Sequence, residues 1–224
     1  MVSDRVATND DRRFGEKPLA QTMAVAAAIR RLTGMLLSLE HDHPTVEQML
    51  AQFARWEEDL AGAVPADNAP RLESDDTDSK RVYLGHAFDI GAFNPCFPEY
   101  RFHHLDEQTA SGTVTFPLVF EGPPGLVHGG FLAVFFDCVT QHQNCAVALS
   151  GRTRSLSVTY RRPTPIETEL RFDIVRSLRD RAITSTARLL LGEDVLCTAE
   201  FNALANSPDK LSPFRLGKRR DEDR

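Results

Sequence analysis

The sequence predicts an α+β protein in which one long helix covers a face of an antiparallel sheet. Four β-rich segments follow the helix at hairpin spacing: residues 154–162, 169–178, 181–191 and 195–205. Asp180 and Gly192-Glu193 lie in two of the turns between them. Three further strand-like segments precede the helix, at 82–90, 100–107 and 111–120. Consecutive hairpins form an antiparallel sheet, which a single helix can cover.

The helix is predicted to begin near Gly129 and to be largely enveloped. Its apolar side chains cover most of the circumference: Phe131, Leu132, Val134, Phe135, Phe136 and Val139. Small or polar residues recur at spacings of three and four and form one narrow stripe: Gly130, Ala133, Asp137, Gln141 and Asn144. This stripe is either a solvated face or the lining of a cleft. The neighbouring phenylalanines favour the cleft.

Two helices are predicted before the β-rich part, over residues 19–39 and from Pro44 to about residue 61. Thr45 is followed three residues later by Gln48, which is the pattern of a capping box. The second helix has one apolar face, which predicts that the pair packs on another surface: Met49, Phe53, Trp56 and Leu60.

The composition changes at residues 64–80, which are rich in proline, aspartate and serine, as linkers are. We therefore divide the chain into three parts. Residues 1–80 form an N-terminal helical extension with its linker, residues 81–206 form the β-rich domain, and residues 207–224 form a polar C-terminal tail.

Charge and cysteine usage favour a cytoplasmic protein. A net charge of −6 argues against nucleic acid or an anionic membrane as a partner. The four cysteines show no metal-binding spacing, so no metal is expected. The N-terminus has no secretory pattern. The most apolar run, residues 126–140, is shorter than a membrane span.

The start of the long helix has the features of an oxyanion site. Free backbone N–H groups attract a negative oxygen there, and Gly129 and Gly130 let a ligand approach. A tight turn that needs small residues is the alternative interpretation. Asp137 lies roughly 13 Å along the helix from His128. If the carboxylate and the turn act together, the turn must come from a second copy in a two-fold dimer.

Two motifs resemble the PaaI-like branch of the hotdog-fold acyl-CoA thioesterases. They are the run EGPPGLVHGGFLAVFFD and the run TRSLSVTYRRPTPIETEL. The matching positions are His128, Gly129, Gly130, Asp137, Thr153, Leu156, Tyr160, Arg162, Pro163 and Pro165. The resemblance covers residues 82 to 205. It implies a hotdog fold, in which an antiparallel sheet wraps around a long central helix, here with an N-terminal helical extension.

The resemblance also implies a role for each catalytic residue. The backbone N–H of Gly130, in a turn opened by Gly129, would polarise the thioester carbonyl. Asp137 of the partner subunit would act as general base or as nucleophile, and Thr153 would orient Asp137 or its water. His128 would steady the turn or contact the thioester. No cofactor is expected, because coenzyme A is part of the substrate.

Four residues are assigned to substrate binding. Arg154 and Arg162 could hold the phosphates of coenzyme A, because arginine suits bidentate phosphate contacts. Gln141 lies on the polar stripe, and Asn94 resembles an Asn-Pro element of related proteins. One position departs from the family. Many relatives carry asparagine six positions before the histidine, where this chain has Gly122.

Two other catalytic arrangements are rejected. Asp137 and His142 have the spacing of a hydratase pair, but five residues turn a helix through about 500°, so the side chains point apart. Cys138 turns about 100° away from Asp137, which argues against a nucleophilic cysteine. The sequence therefore predicts a thioesterase that acts as a homodimer or a dimer of dimers. The alternative is a non-catalytic hotdog module that binds acyl-CoA or a partner protein.

Overall fold

The computed structural model describes residues 15–64, 82–84, 89–147 and 151–205. Most of the predicted linker and the whole of the predicted tail at 207–224 lie outside the described residues, so the domain boundaries stay predictions. The helices are Ala20–Leu37 (α1), Pro44–Ala61 (α2) and Gly129–Ala146 (α3). The strands are Gly15–Lys17 (β1), Val82–Leu84 (β2), Tyr100–Leu105 (β3), Thr109–Thr115 (β4), Gly151–Tyr160 (β5), Glu169–Arg179 (β6), Ala182–Leu191 (β7) and Asp194–Ala205 (β8).

The main sheet has six strands in the order β3-β4-β6-β7-β8-β5, and every neighbouring pair is antiparallel. The predicted α+β class is confirmed, as are the β6–β7 and β7–β8 hairpins, whereas β5 pairs with β8 and not with the next strand, β6. Asp180 and Gly192 have φ values of 55° and 58°, so they adopt the left-handed conformation in the turns where the sequence places them. Strand β5 follows α3 and joins the sheet beside β8, and no strand of the described residues lies along its other side.

The core lies between α3 and one face of the sheet. Strand β6 alternates buried and exposed residues, and it points Leu170, Phe172 and Ile174 inward. Phe135 and Phe136 of α3 are fully buried against this face. Burying a side chain of this size contributes about 1.5–3 kcal/mol, so the aromatic face of α3 fixes the helix firmly on the sheet.

The strands before α3 differ from the prediction in two places. Within the predicted segment 82–90, residues 85–88 lie outside the described residues; Val82–Leu84 is a strand that pairs with β1 outside the main sheet. Residues Ile90–Ala92 form a 3-10 turn instead. Within 111–120, strand β4 ends at Thr115, and Leu118–Phe120 is a second 3-10 turn. Pro117 lacks the N–H that a ladder needs, which ends the strand there.

Helix α1 is attached to the domain through a buried arginine. Arg30 donates to the Gly91 carbonyl and, at 2.7 Å, to the Glu99 carboxylate. Its side chain is almost completely buried, and Ala26 packs beside it. Residues 89–99, which precede β3, therefore hold α1 against the domain.

Helix α2 does not meet two expectations. His43, not Thr45, caps the helix, because His43 Nδ1 accepts from the Thr45 N–H at 3.2 Å while Pro44 occupies the first helical position. The apolar face also lies open, since Phe53, Trp56 and Leu60 are 36%, 50% and 64% exposed. No residue of α2 is buried by the described part of the chain. None of the described helices is long and apolar enough to span a membrane.

Candidate active site

The turn that starts α3 is held by its own histidine. His128 is the N-cap, and its Nδ1 accepts from the Gly130 N–H at 3.0 Å. This contact satisfies one of the backbone donors that a helix N-terminus leaves unpaired. The N–H that the resemblance assigns to the thioester carbonyl thus already binds an acceptor in the isolated chain.

Tyr160 closes the other side of this turn. Its hydroxyl donates to the Gly129 carbonyl at 2.8 Å. A β-carbon at Gly129 would lie 3.2 Å from the Tyr160 ring, which is tighter than ordinary contact. Glycine at position 129 therefore lets the end of β5 pack against the start of α3. Sequence analysis noted Tyr160 as part of a motif but assigned it no role.

The departure at Gly122 has a steric cause. A β-carbon at this position would lie 2.8 Å from His128 Cα and 2.9 Å from His128 Cβ. The loop before α3 therefore runs directly beneath the histidine. With this backbone, the asparagine of related proteins would displace the turn.

Gly122→Asn is expected to destabilise the protein by about 1–3 kcal/mol, the usual cost of an overpacked site. Gly62→Asn is the matched control, because the atom nearest to its β-carbon, the Asp59 carbonyl oxygen, lies at 3.9 Å and its φ of −70° suits any residue. Thermal unfolding of the two variants measures the difference. An equal fall in Tm would show that His128 does not limit position 122.

Asp137 and Thr153 meet across the gap between α3 and the edge strand. Thr153 Oγ1 donates to Asp137 Oδ1 at 2.8 Å. Gln141, one helical turn further, donates from Nε2 to the same hydroxyl at 2.9 Å. Asp137 and Gln141 are half-buried, whereas Thr153 is exposed in the single chain. Three residues of the predicted site thus form one hydrogen-bonded set.

Strand β5 is irregular beside this set. Its register against β8 shifts between Thr153 and Ser155, so Arg154 is the extra residue of a bulge. A bulge re-aims side chains locally and is common next to functional sites. Arg154 is exposed at this point.

The glycine turn, residues 128–130, and the carboxylate set, which comprises Asp137, Gln141 and Thr153, remain apart within one chain. Seven residues separate Gly130 from Asp137 on α3, which corresponds to roughly 10 Å along the axis. The turn is bordered by the end of β5, while Asp137 meets its start. A single carbonyl group cannot contact both parts of one chain.

The other predicted binding residues lie away from Asp137. Arg162 pairs with the Asp194 carboxylate at 3.1 Å, and both side chains are exposed. Asn94 Oδ1 accepts from the Cys96 N–H at 3.1 Å, and its carbonyl accepts from Arg30. Asn94 therefore shapes the loop that seats α1, and within the described residues no hydrogen bond connects it to Asp137.

A surface pocket of about 400 Å³ opens beside the glycine turn. Gly129, Tyr160, Arg161 and Arg162 line it together with apolar residues of the neighbouring loops and of α3. The pocket combines two cations with the N-terminal end of a helix, a setting that favours anions. The sequence favours Arg161 as a solvated residue at a strand end over a phosphate-binding one, and the structure places it in the lining of this pocket.

A buried polar cluster at the far end of α3 was also missed. Arg176 of β6 donates to Asn144 Oδ1 at 3.3 Å and to the Gln143 carbonyl at 3.3 Å. It also donates to the Glu107 carbonyl. The strand pattern contains the signal, because Arg176 follows Leu170, Phe172 and Ile174 at the inward positions. A charged residue at such a position needs buried partners.

The two rejected arrangements are absent from this part of the structure. His142 contacts the Tyr100 hydroxyl at 3.0 Å, away from Asp137. Burial lowers the pKa of His142 to about 4, so it is neutral at pH 7. Burial, together with the charge of Asp137, raises the pKa of Cys138 to about 12. Its thiol therefore stays protonated and is a poor nucleophile.

Solved structures similar to this one include thioesterase superfamily proteins. One such crystal structure is 25% identical, with a TM-score of 0.68, and covers 84% of this chain and 97% of that one. A hypothetical thioesterase with coenzyme A from Streptococcus pneumoniae TIGR4 is 16% identical, with a TM-score of 0.46, covering 49% and 90%. A phenylacetic acid degradation-related protein from Ralstonia eutropha JMP134 is 20% identical, with a TM-score of 0.44, covering 47% and 84%.

No family model and no curated protein matches the chain. The fold nevertheless defines its class: it is a hotdog-fold protein with structural relatives in the thioesterase superfamily, as the motifs predict. The first structure covers a larger share of this chain than residues 81–206 alone could supply. Part of the N-terminal extension therefore belongs to the shared structure, which the motifs did not indicate.

Proposed function

We propose that this protein hydrolyses the thioester bond of acyl-CoA substrates at a site shared by two copies of the chain. The observation that carries the proposal is the Asp137 carboxylate, which holds the Thr153 hydroxyl at 2.8 Å beside the open edge of the sheet. The structural similarity to a thioesterase superfamily protein supports the same reaction class.

In the general-base route, Asp137 takes a proton from water, and the water oxygen bonds to the thioester carbonyl carbon. The carbonyl oxygen becomes an oxyanion, which the N–H of Gly130 stabilises from the other subunit. The tetrahedral intermediate then collapses, and the C–S bond breaks. The thiolate of coenzyme A leaves and takes up a proton, and the acid is released.

In the nucleophilic route, Asp137 attacks the carbonyl carbon itself, and coenzyme A leaves before water arrives. The mixed anhydride is then hydrolysed. A single turnover in ¹⁸O-labelled water distinguishes the routes. Label that appears in the peptide containing Asp137 identifies the nucleophilic route, because only hydrolysis of the mixed anhydride can place a water oxygen on that carboxyl group. The hydrogen bond from Thr153 fixes one carboxylate oxygen in either route and leaves the other to react.

Strand β5 is the part of the chain that we propose contacts a second copy. It bonds to β8 on one side and is an edge strand of the sheet among the described residues, and such an edge invites pairing with another chain. Thr153 and Tyr160 are exposed along it. A two-fold axis beside β5 would place each glycine turn near the carboxylate of the other subunit.

The His128 imidazole must turn aside when substrate binds, because it accepts from the Gly130 N–H in the isolated chain. A thioester oxygen would then replace Nδ1 as the acceptor. Arg154 and Arg162, with the pocket beside the turn, would hold the phosphates of coenzyme A. The ion pair of Arg162 with Asp194 is exposed and therefore weak enough to exchange for a phosphate.

A thiol-release assay over acyl-CoA substrates of different chain lengths tests the proposal. We expect turnover of at least one acyl-CoA by a dimer or larger assembly, as sedimentation would show. The contrary result is acyl-CoA binding, measured by calorimetry, with no thiol released from any member of the panel. That outcome would identify a hotdog binding module instead.

A further inference from the structure

We propose that Asn144 and Arg176 are positioning residues that set the direction of the hydrogen bonds leading to Asp137. The inference rests on the proposed function, because it describes how the structure holds the carboxylate ready to react. Neither residue contacts the reacting atoms: Asn144 lies at the end of α3 away from the glycine turn, and Arg176 of β6 contacts it there.

Four consecutive hydrogen bonds connect Arg176 to Asp137. Arg176 donates to Asn144 Oδ1 at 3.3 Å, and Asn144 Nδ2 donates to Gln141 Oε1 at 3.4 Å. Gln141 Nε2 donates to Thr153 Oγ1 at 2.9 Å. Thr153 Oγ1 then donates to Asp137 Oδ1 at 2.8 Å. The chain of bonds runs along the polar stripe of α3 and crosses to β5 at Thr153.

The donor-to-acceptor direction of these four hydrogen bonds follows from the chemistry of Arg176. A guanidinium has donors and no acceptor, so only the oxygen of the Asn144 amide can face Arg176. The Asn144 amino group must then face Gln141, which turns the Gln141 oxygen toward Asn144. The Gln141 amino group is left to face Thr153, so the threonine accepts there. Its single proton is thereby directed to Asp137.

Burial prevents the chain from reversing. Arg176 is 5% exposed and Asn144 is 0% exposed, so neither side chain can exchange its partner for water. Flipping the Asn144 amide would bring two donors together and leave a buried oxygen unpaired, which is unfavourable because the oxygen cannot bind water instead. The cation also has two carbonyl partners, at Gln143 and Glu107, which hold it in place.

Without this order, the hydroxyl of Thr153 would have two acceptors within reach. If the Gln141 oxygen faced it, the proton could go to Gln141 instead of Asp137. Asp137 would then lose a hydrogen bond to its ionised form, a contact of the stronger, charge-assisted kind. The position of Thr153 alone does not secure that bond; the polarity of Gln141 does.

Asn144→Asp tests the direction with almost no change in shape. Aspartate has only acceptors when ionised, so the Gln141 amino group must turn toward it and the Gln141 oxygen toward Thr153. Arg176 pairs with the new charge, so we expect a Tm equal to or above that of the parent. The expected kcat falls about tenfold, as for loss of one hydrogen bond to a charged group, with KM nearly unchanged. A purely structural role for Asn144 would predict that kcat follows Tm.

The double variant Asn144→Asp with Thr153→Val tests whether Asn144 acts through the threonine. If Asn144 acts only through the threonine, Asn144→Asp adds nothing to Thr153→Val, whereas independent effects multiply. Gln141→Glu, at a half-buried position, is a second variant that removes the donor facing Thr153. It should lower kcat as Asn144→Asp does, and it should add nothing to Thr153→Val. Asn202→Asp is the control, because it adds the same charge on the neighbouring strand, where Asn202 bonds Ser155.

A readout without substrate separates this inference from the proposed function. The ¹³Cγ resonance of Asp137 at fixed pH should shift in the same direction in Asn144→Asp and in Thr153→Val, and should stay in place in Asn202→Asp. A resonance that moves only in Thr153→Val would overturn the inference even in an active enzyme. If the resonance moves as expected while the parent releases no thiol, the hydrolase proposal is the part that fails.

Discussion

Asp137→Asn is expected to lower kcat for acyl-CoA hydrolysis by at least about a hundredfold, the lower range for lost general acid–base assistance. The carboxamide cannot take a proton from water and cannot attack the carbonyl carbon. It can still accept from Thr153 through its oxygen, which keeps the local contact that Asp137 makes at 2.8 Å. The loss is therefore one of chemistry, with little change in folding. Thiol release under saturating acyl-CoA measures it.

Asp173→Asn is the matched control for this variant. Asp173 is a carboxylate of β6 that pairs with Arg188 of β7, away from α3 and β5. Its removal disrupts an exposed ion pair, which contributes about 0–1 kcal/mol, and should leave kcat unchanged. Equal rates for the parent and Asp137→Asn would exclude Asp137 as base and as nucleophile.

The fold was predictable where local patterns agree with one another. Strand β6 alternates apolar residues at positions 170, 172 and 174, and turn residues with left-handed backbone follow it and β7. The long helix was predictable because its apolar side chains demand burial on nearly all sides. The prediction failed at Pro117, where a missing N–H outweighs the strand-forming residues after it.

The candidate site was predictable only in part. The spacing along α3 places Asp137 and Gln141 on one stripe, as the structure has them. Their contact with Thr153 joins a helix to an edge strand, and such a pairing cannot be inferred from helical periodicity. The family motif supplied Thr153. Arg176 was missed because a lone charged residue in an inward strand position does not indicate which buried oxygen it binds.

The apolar face of α2 shows a further limit of sequence patterns. Periodicity correctly placed Phe53, Trp56 and Leu60 on one side of the helix, but the described residues do not cover them. An amphipathic pattern predicts that one face of a helix favours burial, but it does not identify the surface that buries it.

A heterodimer of two inactive variants gives the most direct result on the shared site. Gly130→Pro removes the backbone N–H proposed to bind the oxyanion, and proline is tolerated in the first turn of a helix. Loss of one such donor lowers kcat by about 10²–10³. Gly130→Ala keeps the N–H, and its β-carbon meets only the His128 ring, at 3.1 Å, so it should retain much more activity.

Co-expression of Asp137→Asn and Gly130→Pro chains with different tags allows the mixed dimer to be purified. If each site takes its carboxylate from one chain and its turn from the other, one of the two sites contains both lesions and the other contains neither. The mixed dimer should then regain about half of the parental activity by two-fold symmetry. If each site lay within one chain, every site would carry a lesion and the mixed dimer would stay inactive.

The pairing of Asp137→Asn with Thr153→Val completes this test. Both residues belong to the same hydrogen-bonded set, so every site of that mixed dimer keeps one lesion. Its activity should not exceed that of Thr153→Val alone. Recovery in the first mixture and not in the second would require the glycine turn and the carboxylate set of one site to come from different chains. The roughly 10 Å between them along α3 then becomes the reason for dimerisation.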